Sequence, residues 1–262
     1  MIEKQFWRWS AWLWFAFTIV FVYAPVVAMV VFSFNQGQSF GGWEGFSCKW
    51  YQQFLGSEDM VHALSGSLLV GCLATFFSVI LSLLVVVASK WWRPWWLLEI
   101  FMVNFVVPEI FVAVVILNIF VFLKIQMGLI SLVVGHTLLG FGTAVPLFRT
   151  AFSELQHALL DASLDLGATY LQTLRYVILP ILKPSIIYVA FLIFSLSMDD
   201  FFINFFCSGV GFPTVSTYVY TTIRAYVDPS LNALSSSLFF LSLALVLLLT
   251  LSQSIDGIFS DD

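Results

Sequence analysis

Four acidic residues interrupt long apolar runs of this chain and are the first candidates for chemistry: Glu99, Glu109 directly after Pro108, and the neighbours Asp199 and Asp200 after Ser195-Leu196-Ser197-Met198. An ionisable group at membrane depth is costly, so its presence there points to a substrate or ion path. Glu99 lies within about a turn of a span border, where it snorkels or pairs with Lys90 or Arg93. Counted at about 1.5 Å per helical residue from the cytoplasmic span starts near Trp95 and Ser185, Glu109 and Asp199 reach the same height, roughly 21 Å. Carboxylates at one depth among aromatic rings suit a cation, whose charge they balance and which the ring faces attract. Capping is the competing account, because acids also stabilise helix N-termini. Hydrolytic chemistry fits poorly. Asp199 and Asp200 are adjacent on one helix and point in different directions, so they form no catalytic pair by themselves. Cys48, Cys72 and Cys207 lie far apart and form neither a CxxC metal pattern nor a disulfide framework. His62 and His157 read as solvated loop residues, and His136 as a packed, hydrogen-bonding histidine.

The elements that must hold these groups are transmembrane helices. Of 262 residues, 61% are hydrophobic and only 10% charged, too few polar groups to solvate a globule of this size. The net charge of −5 is dispersed and suits no nucleic-acid surface. Apolar runs near or above the roughly 20 residues that cross a bilayer predict six helices, at Ala11–Phe34, Ala63–Ser89, Trp95–Leu123, Leu129–Phe148, Ser185–Phe206 and Ala233–Ser252. The fold class is therefore an all-α integral membrane protein, one transmembrane domain over residues 1–262. Of the bases, Lys4, Arg8, Lys90, Arg93, Arg149, Arg175 and Lys183 fall on one side of such a bundle, against Lys49, Lys124 and Arg224 on the other. Positive charge stays inside, which predicts a multi-pass membrane protein with both termini cytoplasmic. Tryptophans at 7, 9, 12 and 14, and at 91, 92, 95 and 96, bunch at predicted borders, where amphipathic rings settle. No G-x-x-x-x-G-K-[ST] occurs, so the phosphate cradle is missing. If ATP drives this chain, another chain hydrolyses it.

One cytoplasmic connection is long, residues 149–184, and it carries a motif. Asp161-Ala162-Ser163-Leu164-Asp165-Leu166-Gly167 is followed after nine residues by Val177-Ile178-Leu179-Pro180. The run from Glu154 to Leu166 predicts a short helix with Leu155, Leu159, Ala162 and Leu166 on one side, a left-handed stop at Gly167, and Pro180 and Pro184 punctuating the chain before the fifth span. A helix lying on the membrane surface would carry basic residues, whereas this one carries Glu154, Asp161 and Asp165, which anionic lipid repels. The motif resembles the EAA loop of ABC-transporter inner-membrane permeases, with Asp for Glu, Ser for the second Ala and Val for Ile, and with the Gly-to-Leu-Pro spacing intact. The resemblance implies a coupling helix that docks in a groove of an ATPase subunit through Asp161, Ala162, Ser163, Gly167, Leu179 and Pro180.

A narrower resemblance rests on Ser197-Met198-Asp199-Asp200, Asp228-Pro229-Ser230-Leu231-Asn232-Ala233-Leu234 and Gly45-Phe46-Ser47-Cys48-Lys49-Trp50-Tyr51. These segments resemble the PotC-like permease family of spermidine/putrescine importers, and with the EAA loop the similarity spreads over nearly the whole chain. It implies a six-helix MetI-like fold and a non-catalytic subunit that binds no cofactor of its own. The implied partners are a PotB-like permease, two PotA-like ATPases that bind ATP and Mg, and a PotD-like protein that captures the polyamine outside the membrane. Trp50, Glu109, Ser197, Asp199 and Asp200 stand where that family has recognition residues, Glu109 replacing an expected Asp. Tyr170 stands where an acid is expected. For Trp50 an outer-surface anchor is the competing account. A secondary transporter or channel for organic cations would use the same carboxylates, but would leave the EAA loop without a role and would favour an inverted repeat, which is not evident.

Overall fold

The computed structural model describes residues 2–38, 42–92, 107–153, 157–226 and 228–259, and there the chain is helical apart from turns, loops and one isolated antiparallel bridge between Asn35 and Phe46. Among the described residues four helices are long and apolar enough to cross a membrane: α1 (Ile2–Ser33), α3 (Glu58–Trp92), α5 (Leu129–Ser153), and a helix running from Tyr170 to Asp199. A short α2 (Lys49–Gly56) precedes α3. The predicted third span is represented by α4 (Glu109–Phe122), since its part over residues 95–106, with Glu99, lies outside the described residues. The sixth predicted span is α11 (Ser230–Phe259).

The fifth span departs from expectation at both ends. Its helix starts fifteen residues earlier than Ser185, as α7 (Tyr170–Thr173), continues through a π turn (Leu174–Ile178), and becomes α8 (Leu179–Asp199). Pro180 and Pro184 therefore do not punctuate it. A proline lacks the N–H that an α-helix needs and crowds the carbonyl one turn back. At Pro180 the π turn gives that crowding room, since the Leu179 N–H reaches the Leu174 carbonyl, one residue further than α-helical spacing, while Pro184 lies within α8. At its other end the helix stops at Asp199. Asp200 turns extended (φ −64°, ψ 126°), and a separate six-residue α9 (Phe202–Cys207) follows. α6 (His157–Asp165) is the predicted loop helix, and α10 (Val215–Ala225) lies between α9 and α11.

The chain forms two compact units. One comprises Met1–Val61 and Thr222–Leu248. Within it Asn35 latches the loop after α1, its side chain donating to the Gly42 carbonyl (2.9 Å) and accepting from the Glu44 N–H (2.8 Å). Asp228 caps α11, its carboxylate accepting from the Ser230 N–H at 2.8 Å with Pro229 between them, the arrangement expected of an acid and a proline at a helix start.

The other unit comprises His62–Thr221 and Leu249–Asp262. Its packing has two centres. Val86, Val145, Phe148, Leu182 and Ile193 join α3, α5 and α8, while Val70, Ala113, Leu132 and Ile203 join α3, α4, α5 and α9. Lipid is as apolar as these side chains, so close approach of backbones rather than escape from water must hold such helices together. Gly140 shows this: a Cβ there would lie 2.5 Å from the Ser78 hydroxyl and 2.7 Å from Ile193 Cγ2. Any side chain there would force Ser78 of α3 and Ile193 of α8 to shift.

Candidate functional site

The break between α8 and α9 opens a cavity of about 560 Å³ in the second unit. Its lining is mostly apolar, with Val107, Leu139, Ile193 and Phe202 in it, and Glu109, His136, Thr143 and Ser197 are the polar side chains. Glu109 sits in the first turn of α4, with Pro108 ahead of it, a placement the helix dipole favours. The Ser197 hydroxyl is buried on the last turn of α8 and has no hydrogen-bond partner among the described residues. An unused hydroxyl in an apolar wall is the kind of group that orients a ligand.

Asp199 and Asp200 have separate surroundings. Asp199 is exposed and is the last residue of α8. A carboxylate at a helix C-terminus opposes the dipole, so capping does not account for Asp199. It lies within electrostatic reach of Glu109. Asp200 is buried, at 6% exposure, and its Oδ1 accepts from the Ile203 N–H at 3.3 Å, so the capping account fits this residue. Its Oδ2 lies 3.6 Å from His136 Nδ1. On the other side of that ring, Nε2 meets Asn204 Oδ1 at 3.2 Å, while Asn204 Nδ2 donates to the Asp200 carbonyl.

His136 fulfils the expectation of a packed, hydrogen-bonded histidine, and it also lines the cavity, which sequence reasoning missed together with the part of Asn204. The available signal was an imidazole in the fourth span and an amide four residues beyond the acidic pair. Nothing in their spacing says that positions 136, 200 and 204 meet.

Trp50 belongs to the first unit. It is buried at 4% exposure, and its indole N–H donates to the Asn35 carbonyl at 2.7 Å. Lys49 Nζ stands 4.3 Å from its ring centroid, in cation–π range. This burial does not fit the outer-surface anchor account. Cys48, Cys72 and Cys207 are all free thiols.

At the loop motif, α6 ends as its glycine predicts. Gly167 has φ +86°, its N–H bonds to the Leu164 carbonyl (2.9 Å), and the Ala168 N–H bonds to the Ser163 carbonyl (3.1 Å), the paired bonds of a Schellman stop. Thr169 and Gln172 then cap α7 reciprocally. The Ser163 hydroxyl bonds the Thr173 hydroxyl at 2.9 Å, tying α6 to the helix that runs on to Asp199. Asp161 and Ala162 are exposed, Leu159 is 47% exposed, and Leu166 and Leu171 are 89% and 73% exposed. Glu154 and Leu155 lie outside the described residues.

The family of binding-protein-dependent transport system inner membrane components matches residues 74–261 of the chain. The spermidine/putrescine transport system permease protein PotC of Escherichia coli (strain K12) is 29% identical over 231 residues, 87% of each chain. The putrescine transport system permease protein PotI of the same strain is 30% identical over 226 residues, covering 82% of this chain and 80% of its own. A bacterial ABC transporter involved in the import of the acidic polysaccharide alginate shares the fold, with a TM-score of 0.66 over 96% of both chains at 15% identity.

Proposed function

We propose, from the premise that this chain belongs to the family of binding-protein-dependent transport system inner membrane components, that it is the permease subunit of an ABC importer for polyamines. It lines half of the pathway for spermidine or putrescine and catalyses nothing itself. The observation that carries the substrate reading is the cavity at the end of α8, where Glu109 and Ser197 stand in an apolar wall with Asp199 in reach. A polyamine combines ammonium groups with methylene runs, and this lining likewise combines a few polar side chains with apolar walls. Asp200 enters the pathway as the residue that shapes the break, and Trp50 through its ring, because its N–H is already used.

The coupling reading draws on a different part of the chain. Asp161, Ala162, Ser163 and Gly167 of the loop, with Leu179 and Pro180 beyond it, form the docking element, and the exposed Leu159 and Leu166 give it an apolar surface. A helix of 30 residues joins that element to Asp199, a lever of about 45 Å. Closure of two PotA-like ATPases on ATP and Mg would pull one end, and the carboxylate would move at the other. A PotB-like permease completes the pathway, and a PotD-like protein delivers the substrate.

The test is uptake of radiolabelled spermidine and putrescine by cells that express all partner subunits. Uptake should require the ATPase and the binding protein. Polyamine uptake that persists without the ATPase would return the chain to the secondary-transporter class. The orientation belongs to the same proposal: tags at either terminus should report from the cytoplasm and a tag at Gly211 from the outer side. A Gly211 tag reached only from the cytoplasm would break it.

A further inference from the structure

The polar cluster of His136, Asp200 and Asn204 has a hydrogen-bonding pattern that constrains its protons. Asn204 Nδ2 is spent on the Asp200 carbonyl, so the amide oxygen Oδ1 is what faces the imidazole. An oxygen acceptor at 3.2 Å requires that Nε2 carry a hydrogen. A neutral imidazole has only one, and it would then turn the bare lone pair of Nδ1 toward Asp200 Oδ2 at 3.6 Å. Oδ2 is itself buried with no hydrogen-bond partner among the described residues, and Nδ1 stands within ion-pair distance of it. Two lone pairs facing each other where water does not reach is an arrangement that a folded chain avoids. One additional proton resolves it, on Nδ1 as an imidazolium facing a carboxylate or on Oδ2 as a carboxylic acid facing an imidazole. Either placement leaves the two residues with no net charge.

We propose that His136 and Asp200 hold one such proton between them as a neutral pair, so that the charge a cationic substrate meets in the cavity is that of Glu109 and Asp199 alone. The Asp200 carboxylate also faces the Ile203 and Phe202 N–H groups and the charge of Asp199, and His136 faces Glu109. His136 is thus a positioning residue. It cancels the buried charge that the helix break requires, and without it Asp200 would join Asp199 as a second bare carboxylate within electrostatic reach of Glu109. Two free carboxylates match two ammonium groups, which makes a diammonium segment the unit recognised. The substrate part of this inference rests on the polyamine reading above, while the proton part does not.

The experiment reads the proton directly in the assembled transporter reconstituted in lipid at pH 7. Nitrogen-15 NMR of histidine-labelled protein, as wild type minus H136Q, reports whether both ring nitrogens of His136 are protonated. Infrared difference spectra of wild type against D200N report a carboxylic-acid band at Asp200. A doubly protonated His136, or a carboxylic-acid band that D200N removes, is the expected result. A singly protonated ring with no such band overturns the neutral pair. The second arm is uptake kinetics with putrescine. D199N and E109Q should each raise the half-saturating concentration about tenfold or more, as loss of a charge contact does. The H136Q/D200N double variant should lower the maximal rate while keeping that concentration within about threefold of wild type, because no net charge is lost. A double variant whose half-saturating concentration rises as far as that of D199N would overturn the assignment of substrate charge. Absence of polyamine uptake in wild type would strike the functional reading and leave the spectra to judge the pair.

Discussion

Asp199→Asn should lower spermidine and putrescine uptake by about a hundredfold while leaving the amount of transporter in the membrane at or above the wild-type level. Both halves of this result follow from where the residue sits. An ammonium group taken into a low-dielectric path without a counter-charge costs about 2.5–3.5 kcal/mol on insertion scales, and 1.4 kcal/mol is a factor of ten. Asp199 ends α8, where the helix dipole disfavours a carboxylate by a few tenths of a kcal/mol to about 1. Neutralising it therefore relieves the fold and harms only the passenger. Glu109→Gln should be milder, about tenfold in rate at low substrate concentration, since Glu109 shares the cavity with the Ser197 hydroxyl and Gln retains hydrogen-bonding groups. The measurement is radiolabelled uptake with immunoblotting of each variant. Wild-type uptake by Asp199→Asn would show that fixed charge at this position does not meet the substrate. Reduced membrane abundance that accounts for the loss would assign Asp199 to folding.

The second large effect lies at the other end of the same helix. Gly167→Trp and Asp161→Lys should each cut ATP-driven uptake by more than about tenfold, with capture of substrate by the external binding protein unaffected. Gly167 holds φ +86°, and a residue with a side chain pays about 1–2 kcal/mol to adopt that conformation. A Cβ built there has nothing within 4 Å beyond its own chain neighbours, so the first side-chain carbon meets no clash among the described residues. Its effects are strain at the stop of α6 and a bulky ring on the surface proposed to dock. Asp161→Lys reverses an exposed charge at the same surface. Gly167→Ala serves as the intermediate case, since it brings the strain without the bulk. ATP hydrolysis and uptake measured together separate the outcomes: hydrolysis without uptake is uncoupling, and normal uptake by both variants would remove α6 from its assigned role.

Those two predictions differ in how much of their basis was readable in the sequence. The loop helix was readable almost in full. Its motif is contiguous, its stop depends on a glycine that carries its own conformational freedom, and its caps involve residues at most five apart, so local chemistry decides them. Apolar runs likewise located long helices, four of them among the described residues long and apolar enough to cross a membrane, because the length needed to cross lipid is a property of a segment by itself. Periodicity then erred where neighbours override it. It ended the loop at two prolines, although Pro180 follows directly on the π turn and Pro184 lies within α8, and it carried the fifth helix seven residues past Asp199 to Phe206. The carboxylates were found because charge within an apolar run is conspicuous, but their separate situations were not, since a one-residue step decides which of two adjacent acids ends α8 and which supports α9. Only the tertiary structure brought His136 to Asp200, 64 positions apart, and buried the Trp50 N–H against the Asn35 carbonyl. Such pairings depend on which helix faces pack together, and in lipid that choice rests on small residues such as Gly140 that permit backbones to touch, a property of two surfaces rather than of either sequence segment.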